Sequence, residues 1–472
     1  MVLRKLLLGT ALAGALISVP GLALALSLTE AVTLAVKTNP EIGQAIENRE
    51  AVEFELKQAL GLYAPRVDLE ASIGGELSNT PSRRAAGIDD DPLYPAEIGV
   101  VASYDILDGG FRQSESNRQA ARIDSASFRV LERSEYIGLE ITREYFEILL
   151  QARIVGLAKE NVAFHNETLN NVTEAISSGK LTEADRQQAT ERVAAARARV
   201  AEASEALETA RIGFFKLVGV PFDNASLPKR VKGLPKSLDS AIAIGRENNP
   251  RIGIASADID AASALVDQAQ GALGPRLLLE GRAKVGNDLG AAGHAADLQG
   301  RLVLKFNIYD GGIKDASVQE NMRRESEALL SQEQAYREVD EAVRVSWQRI
   351  RRQAELSSLY NDQRVASDGL VSSYRDQFTI GERSLLDVLD AQNTRFNVQV
   401  LSETADYAAR FAEFRLLAST GRLMSYLNVT PPGQSLAYAR DLLQSPDTTQ
   451  DNLEGRKPLN LSAPMDLTKF VN

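Results

Sequence analysis

Two carboxylates near the end of the chain are the first candidates for chemistry. Asp387 and Asp390 are three residues apart in a helical stretch, so their side chains share one helix face. The alternative is that acidic residues at a helix start only favour the helix dipole. The two histidines, His165 and His294, are far apart, and neither has the serine and acid neighbours of a catalytic triad. We expect His165 on a solvated surface and His294 in a loop.

The composition excludes several classes of protein. The chain has 472 residues, with 53 basic and 64 acidic side chains and a net charge of −11, so we expect no nucleic-acid partner. It has no cysteine, which excludes thiol catalysis, disulfides and cysteine-ligated metal centres. The acidic run Asp89-Asp90-Asp91 lacks the spacing of a known calcium loop. We therefore expect no enzyme, no metal site and no cofactor.

Residues 1–25 are predicted to be a signal peptide. Arg4 and Lys5 precede a short apolar stretch, and Ala23-Leu24-Ala25 fits a small-x-small cleavage site. The stretch is short for a membrane anchor, which is the alternative. No later stretch reaches the roughly 18 uninterrupted apolar residues of a membrane-spanning helix. A protein exported in this way is periplasmic, secreted or a β-barrel of the outer membrane.

The chain contains a tandem repeat. Asn39-Pro40-Glu41-Ile42 recurs as Asn249-Pro250-Arg251-Ile252 at an offset of 210, and Asp108-Gly109-Gly110 recurs as Asp310-Gly311-Gly312 at an offset of 202. Eight residues are therefore lost from the second copy between the two motifs, where a loop tolerates a change of length. The predicted segments are the signal peptide (1–25), the first repeat (26–220), a connector (221–236), the second repeat (237–428) and a flexible C-terminal tail (429–472).

Each repeat is predicted to begin with a helix and a β-hairpin. Apolar and polar residues alternate over about ten residues in each strand of the hairpins 66–107 and 276–309. This pattern favours strands of an outer-membrane barrel, although an ordinary half-buried hairpin has the same alternation. Four strands cannot close a barrel alone, because an open edge in lipid leaves backbone groups unpaired. Two chains would supply eight strands and three would supply twelve, and the alternation does not choose between them.

Long helices follow each hairpin. The stretches 109–178 and 311–380 lack proline, and each would span roughly 100 Å as one helix. Apolar residues recur every seven positions and continue in the return helices 182–218 and 384–428, which predicts a left-handed coiled coil. Ser357 and Arg364 are polar interruptions of the pattern in the second repeat. The turns between long and return helices contain Gly179, Lys180, Gly381 and Glu382.

These features together resemble the TolC family of outer-membrane factors. The match covers roughly 27–428, and its most specific part is the stretch from Gly381 to Gln392, which is similar to the family's second tip. The resemblance implies a mainly α fold with a small β part. It implies a homotrimer with a long α-helical coiled-coil barrel, a twelve-stranded β-barrel in outer-membrane lipid and a periplasmic extension. It further implies docking onto a periplasmic adaptor (a membrane fusion protein) and an inner-membrane ABC or RND transporter.

The function implied is passive passage out of the cell. Type I protein secretion is favoured slightly, because no cysteine for a lipid anchor follows the signal peptide. Efflux of drugs or other small molecules is the alternative within this class. A water-soluble periplasmic coiled-coil scaffold is the alternative of another class.

The resemblance also suggests working residues. Asp387 and Asp390 match acidic rings at the periplasmic constriction, and Arg383 matches an arginine that ties neighbouring tip helices, with Asp185 as its partner. Ala184 replaces an expected hydroxyl residue, and Phe378 an expected tyrosine. The tip residues Gly179, Lys180, Gly381 and Glu382 are expected to contact the adaptor. Charges on the hairpins are expected to line the duct, with cross-strand pairing as the alternative: Asp68, Glu70, Arg282, Lys284, Arg301 and Lys305.

Overall fold

The computed structural model of the protein describes residues 26–222, 226–288 and 293–443. The predicted signal peptide lies outside this part of the chain. The first repeat contains five helices and two strands: α1 (Leu28–Thr38), α2 (Pro40–Gly61), β1 (Arg66–Ile73), α3 (Pro81–Ala86), β2 (Ala96–Leu107), α4 (Phe111–Ser177) and α5 (Glu183–Val218). The second contains α6 (Leu238–Asn248), α7 (Pro250–Gly271), β3 (Arg276–Asn287), β4 (His294–Lys305), α8 (Ile313–Thr379) and α9 (Leu385–Ser419). Two one-turn helices follow, α10 (Leu423–Tyr426) and α11 (Ala439–Leu442).

The repeated Asn-Pro motif joins two helices and anchors a third. Asn39 caps α2 by accepting a hydrogen bond from Glu41 N at 2.9 Å, while its amide donates to Leu217 O at the end of α5. Asn249 does the same for α7 and Ser419 O at the end of α9. The proline after each asparagine occupies the first helical position, where no backbone N–H is needed. Each asparagine therefore fixes where a return helix ends.

The repeated Asp-Gly-Gly motif turns a strand into a long helix. Asp108 accepts hydrogen bonds from Gly110 N and Arg112 N, both at 3.0 Å, and Asp310 accepts from Gly312 N at 3.0 Å. Gly109 has φ 68°, and a Cβ atom there would lie 2.1 Å from Gly271 O. The turn thus needs glycine both for its left-handed backbone and for the close approach of α7.

The four strands form one antiparallel sheet in the order β1-β2-β3-β4. β2 and β3 pair across the two repeats, with Val100 opposite Ala283. β1 ends at Ile73, and His294 begins β4 opposite Asn287 rather than lying in a loop. Within the described residues β1 and β4 are the free edges of the sheet.

The two 67-residue helices α4 and α8 extend away from the sheet and pack against their return helices. The largest core cluster joins α1, α4, α5 and α9 and contains Ile141, Tyr145, Phe214 and Phe414. In α8, the polar interruption predicted at Arg364 is matched by Asp368, which lies 3.2 Å from Arg364 and 2.6 Å from Arg395 of α9. None of the described helices combines the length and the apolar character that crossing a membrane requires.

The end of the second repeat differs from the prediction. The return helix 384–428 stops at Ser419, because Gly421 adopts φ 66° and packs against Asn248. The first part of the predicted flexible tail is fixed to the body: Asp124 of α4 accepts hydrogen bonds from Ala439 N and Arg440 Nε at 2.8 and 2.9 Å. Arg440 also pairs with Asp260 of α7. Residues 444–472 lie outside the described residues.

Candidate functional site

The long helical hairpins end in tight turns. Gly179 has φ 75° and Gly381 has φ 83°, a backbone conformation that glycine adopts readily. Lys180 and Glu382 follow these glycines and are exposed. Because α5 alone rises about 50 Å from its tip, the four residues predicted to contact a partner lie far from the sheet.

Two of the predicted gate aspartates are helix caps. Asp185 accepts hydrogen bonds from the N–H and the hydroxyl of Thr182 at 2.8 and 2.7 Å, which hold the pKa of this carboxyl below its ordinary value. Asp387 accepts a hydrogen bond from the hydroxyl of Ser384 at 2.7 Å in the same capping-box arrangement. Within one chain, therefore, both carboxylates stabilise the start of a return helix.

The predicted contact between Arg383 and Asp185 is absent within the chain. The guanidinium of Arg383 lies 4.2 Å from the centre of the Tyr374 ring, and its Nε donates to Gln377 Oε1 at 3.1 Å. It is thus folded back onto its own hairpin. Phe378, in the place of the expected tyrosine, packs against an apolar cluster that includes Leu385.

Two ion pairs near the tips join the helical hairpins of the two repeats. Arg192 of α5 lies 3.1 Å from Asp390 of α9. Arg375 of α8 lies 2.7 Å from Glu167 of α4, with its guanidinium 5.1 Å from the centre of the Phe164 ring. Asp390 therefore has a cationic partner on another helix, whereas Asp387, one turn away, caps its own helix. Sequence reasoning missed the pairs, because residues about 200 positions apart carry no signal of contact.

The position predicted for His165 is wrong. Its side chain is only 3% exposed and lies near Arg192 of α5. Burial, together with the positive charge of Arg192, lowers its pKa to about 4. The sequence contained a signal for this burial. If Val162 occupies the first apolar position of the seven-residue repeat, His165 occupies the second, as does the buried Val172 seven residues later.

One turn from His165, a buried hydrogen bond joins α4 to α9. Gln392 of α9 donates to Asn161 Oδ1 of α4 at 2.7 Å, and both side chains are buried. Three atoms in this region have no hydrogen-bond partner among the described residues: His165 Nδ1, Gln392 Oε1 and Arg192 Nε. We use the name buried polar cluster for Asn161, His165 and Gln392, which are buried, together with Arg192, which is half-buried.

Charged residues form pairs on one face of the sheet. Arg282 lies 3.2 Å from Glu70, Lys284 lies 3.2 Å from Glu97, and Arg301 lies 2.6 Å from Glu280. Gly99 lies between Glu70 and Lys284 in the pairing register and leaves space for the long side chains. In the described part of the chain, Asp68 and Lys305 are in no ion pair. The cross-strand pairing weighed in the sequence analysis is therefore present.

The opposite face of the sheet is apolar and uncovered. The exposed fractions of Leu69, Leu298 and Leu302 are 70%, 85% and 60%. A continuous apolar surface of this kind is typical of a site that meets lipid or another protein. No cluster of three or more acidic or histidine side chains that could hold a metal ion occurs in residues 26–222, 226–288 and 293–443.

Comparison with known proteins gives one consistent family. The family model described as "Outer membrane efflux protein" matches residues 31–220 and 242–422, which are the two repeats. The outer membrane efflux protein BepC of Brucella suis biovar 1 is 24% identical over 408 residues, covering 85% of this chain and 86% of BepC.

Solved structures have the same fold. The CmeC outer membrane channel of Campylobacter jejuni has a TM-score of 0.74 at 17% identity and covers 84% of this chain and 86% of its own. The MtrE outer membrane channel of Neisseria gonorrhoeae, solved in its open state, has a TM-score of 0.71 at 18% identity and covers 84% and 89%. The mainly α fold with a four-stranded sheet and an internal repeat is thereby confirmed.

Proposed function

The chain belongs to the outer membrane efflux protein family, and from this membership we propose that three copies form the passive exit duct of a tripartite export machine. The protein is an outer-membrane channel component with a periplasmic extension. Three features support the proposed duct: the sheet, the helical hairpins and the hairpin tips.

The observation that carries the proposal is the uncovered apolar face of a sheet with two free edges. Lipid cannot hydrogen-bond the backbone groups of a free edge, so β1 and β4 need partners from other chains. Three copies supply twelve strands, an even number within the range of membrane barrels. The apolar face with Leu298 then meets lipid, and the opposite face lines the lumen with Asp68, Glu70, Arg282, Lys284, Arg301 and Lys305.

The helical hairpins supply the periplasmic part of the duct. Each long helix spans roughly 100 Å, which places Gly179, Lys180, Gly381 and Glu382 at the far end from the membrane. We assign these residues to contact with a periplasmic adaptor, itself bound to an inner-membrane ABC or RND transporter. The exposed tips are free to meet a partner.

We assign the periplasmic gate to the region just behind the tips. Asp387 and Asp390 of three chains bring six carboxylates towards one axis, where they attract cations. Two contacts hold the gate closed: Arg192–Asp390 within each chain and Arg383–Asp185 between neighbouring chains. If the second contact is present, Arg383→Ser raises the leak of large antibiotics, and unchanged leak in a trimeric variant excludes it.

Small molecules are the cargo we propose. The support is the curated relative BepC, which is named an efflux protein and matches along most of its length. Type I protein secretion is the second candidate. The absence of a cysteine after the predicted signal peptide favours it, because no lipid anchor can form there.

Crosslinking from the tip tests the proposed duct. The chain has no cysteine, so Lys180→Cys introduces a single reactive site at the tip, and Lys229→Cys in the connector is a matched control. In living cells we expect Lys180→Cys, but not the control, to capture an adaptor. A proton-driven pump in the same complex supports efflux, and an ATP-driven transporter supports protein secretion. Capture of only the chain itself, in a soluble fraction, contradicts the duct and favours a coiled-coil scaffold.

A further inference from the structure

The buried polar cluster lies where the two helical hairpins meet, directly behind the proposed gate. Asn161 and His165 are one turn apart on α4, Arg192 comes from α5, and Gln392 from α9. Arg192 also holds Asp390 at 3.1 Å. Through Arg192, the cluster is thus directly connected to the Arg192–Asp390 ion pair that joins α5 to α9.

The packing in the structure, which we assign to the closed gate, leaves no place for a charge on His165. The side chain is 97% buried by accessible surface, and Nδ1 has no hydrogen-bond partner among the described residues. The charged group that acts on it is Arg192, which is cationic and opposes a second positive charge. Two carboxylates of this region are engaged elsewhere: Asp390 of α9 pairs with Arg192, and Glu167, on the same helix as His165, pairs with Arg375 of α8.

We propose that His165 is an acid-responsive element of the gate, whose protonation separates α9 from α4 and α5 and so opens the periplasmic end of the duct. The inference rests on the proposed function. The imidazolium gains water only if the buried polar cluster opens. Opening breaks the Gln392–Asn161 hydrogen bond and the adjacent Arg192–Asp390 pair.

The size of the response follows from proton linkage. In the closed arrangement the pKa of His165 is about 4, and a hydrated imidazole has a pKa of 6.5. The closed state therefore binds the proton more weakly. Acidification from pH 7 to pH 5 shifts the ratio of open to closed by about 20-fold in each chain. Above pH 7 the imidazole is neutral in both states, and the effect disappears.

Single-channel recording of the purified trimer in planar lipid bilayers tests the inference. We expect the open probability of the wild type to rise by about 20-fold or more between pH 7 and pH 5. His165→Gln should lose this rise, because glutamine does not titrate. His294→Gln is the matched control, since His294 is the other histidine of the chain and lies exposed at the start of β4. This control should respond like the wild type.

The outcomes separate the two proposals. If the wild type and His165→Gln respond equally to pH, or if the wild type does not respond, the acid-responsive role of His165 is wrong and the duct stands. If the wild type never conducts, the duct itself is wrong.

A second measurement needs no variant and no conduction, so it tests the inference even if His165→Gln folds poorly or the wild type does not conduct. Histidine hydrogen–deuterium exchange, read by mass spectrometry, should give His165 slow exchange and a pKa near 4 in the trimer. Fast exchange at a pKa near 6.5 contradicts the inference.

Discussion

Removing the two ion pairs that join the helical hairpins should open the far end of the duct. Asp390→Asn and Glu167→Gln preserve the shape of each side chain and remove the charge that faces Arg192 and Arg375. The four side chains are between 29% and 59% exposed, so water screens both pairs. A pair of this kind contributes about 0.5 kcal/mol.

The symmetry of the proposed trimer multiplies this small value. Two pairs in each of three chains amount to about 3 kcal/mol when the chains open together, which corresponds to roughly a 100-fold change in the ratio of closed to open. High salt should weaken the same ion pairs as the mutations do, because the Debye screening length falls from about 10 Å at 0.1 M to about 3 Å at 1 M. The wild type should therefore open more at high salt, and the double variant should show little further change.

The assay is the open probability in planar bilayers at both salt concentrations, together with uptake of a large antibiotic by cells. Glu355→Gln is the matched control, because Glu355 pairs with Arg352 of the same helix at 2.8 Å and with no other described residue. The reasoning is refuted if the double variant opens no more than this control, or if it keeps the salt response of the wild type.

Three further predictions concern stability. Asn249→Ala removes a helix cap and the tie to α9 and should cost about 1–2 kcal/mol in chemical unfolding, whereas Asn248→Ala, whose amide bonds only to its own helix, should cost less; equal costs contradict the role of the motif. Arg440→Ala should free the C-terminal segment to limited proteolysis and lower the melting temperature, and unchanged digestion would show that the segment is held otherwise. Burial raises the pKa of Glu135 to about 7, above its unfolded value, so its stabilising contribution is complete below about pH 4.5 and is lost as the pH rises through 7. Glu135→Gln should remove this fall of the melting temperature with rising pH. A fall equal to that of the wild type contradicts the prediction.

Local signals in the sequence account for most of the fold. Asn-Pro and Asp-Gly-Gly each act through hydrogen bonds to residues a few positions away, so their structure could be predicted from spacing. Helix α1 went unpredicted although its signal is present: Ser27 and Glu30 form a capping box with hydrogen bonds of 2.8 and 3.2 Å. The capping box that marks the start of α1 was therefore present in the sequence and was overlooked.

Other features depend on contacts between distant parts of the chain. The C-terminal segment is held by Asp124, more than 300 residues earlier, and its polar composition alone favours a flexible tail. Arg192 and Asp390 are 198 residues apart, and many opposite charges on the same helices were equally available as partners. Such contacts are set by how the helices pack, and one sequence does not contain that information.

The long helices of the two repeats are equal in length and unequal in burial, and this inequality bears on assembly. In the described chain, α4 and α8 both have 67 residues, yet 26 residues are buried in α4 and six in α8. Leu330 and Leu359 of α8 are 72% and 57% exposed. The sheet is also incomplete, because in the described residues β1 and β4 each pair with a strand on one side only. A rotation that pairs β4 of one chain with β1 of the next also brings α8 against a neighbouring chain, so a single closed symmetry removes both defects.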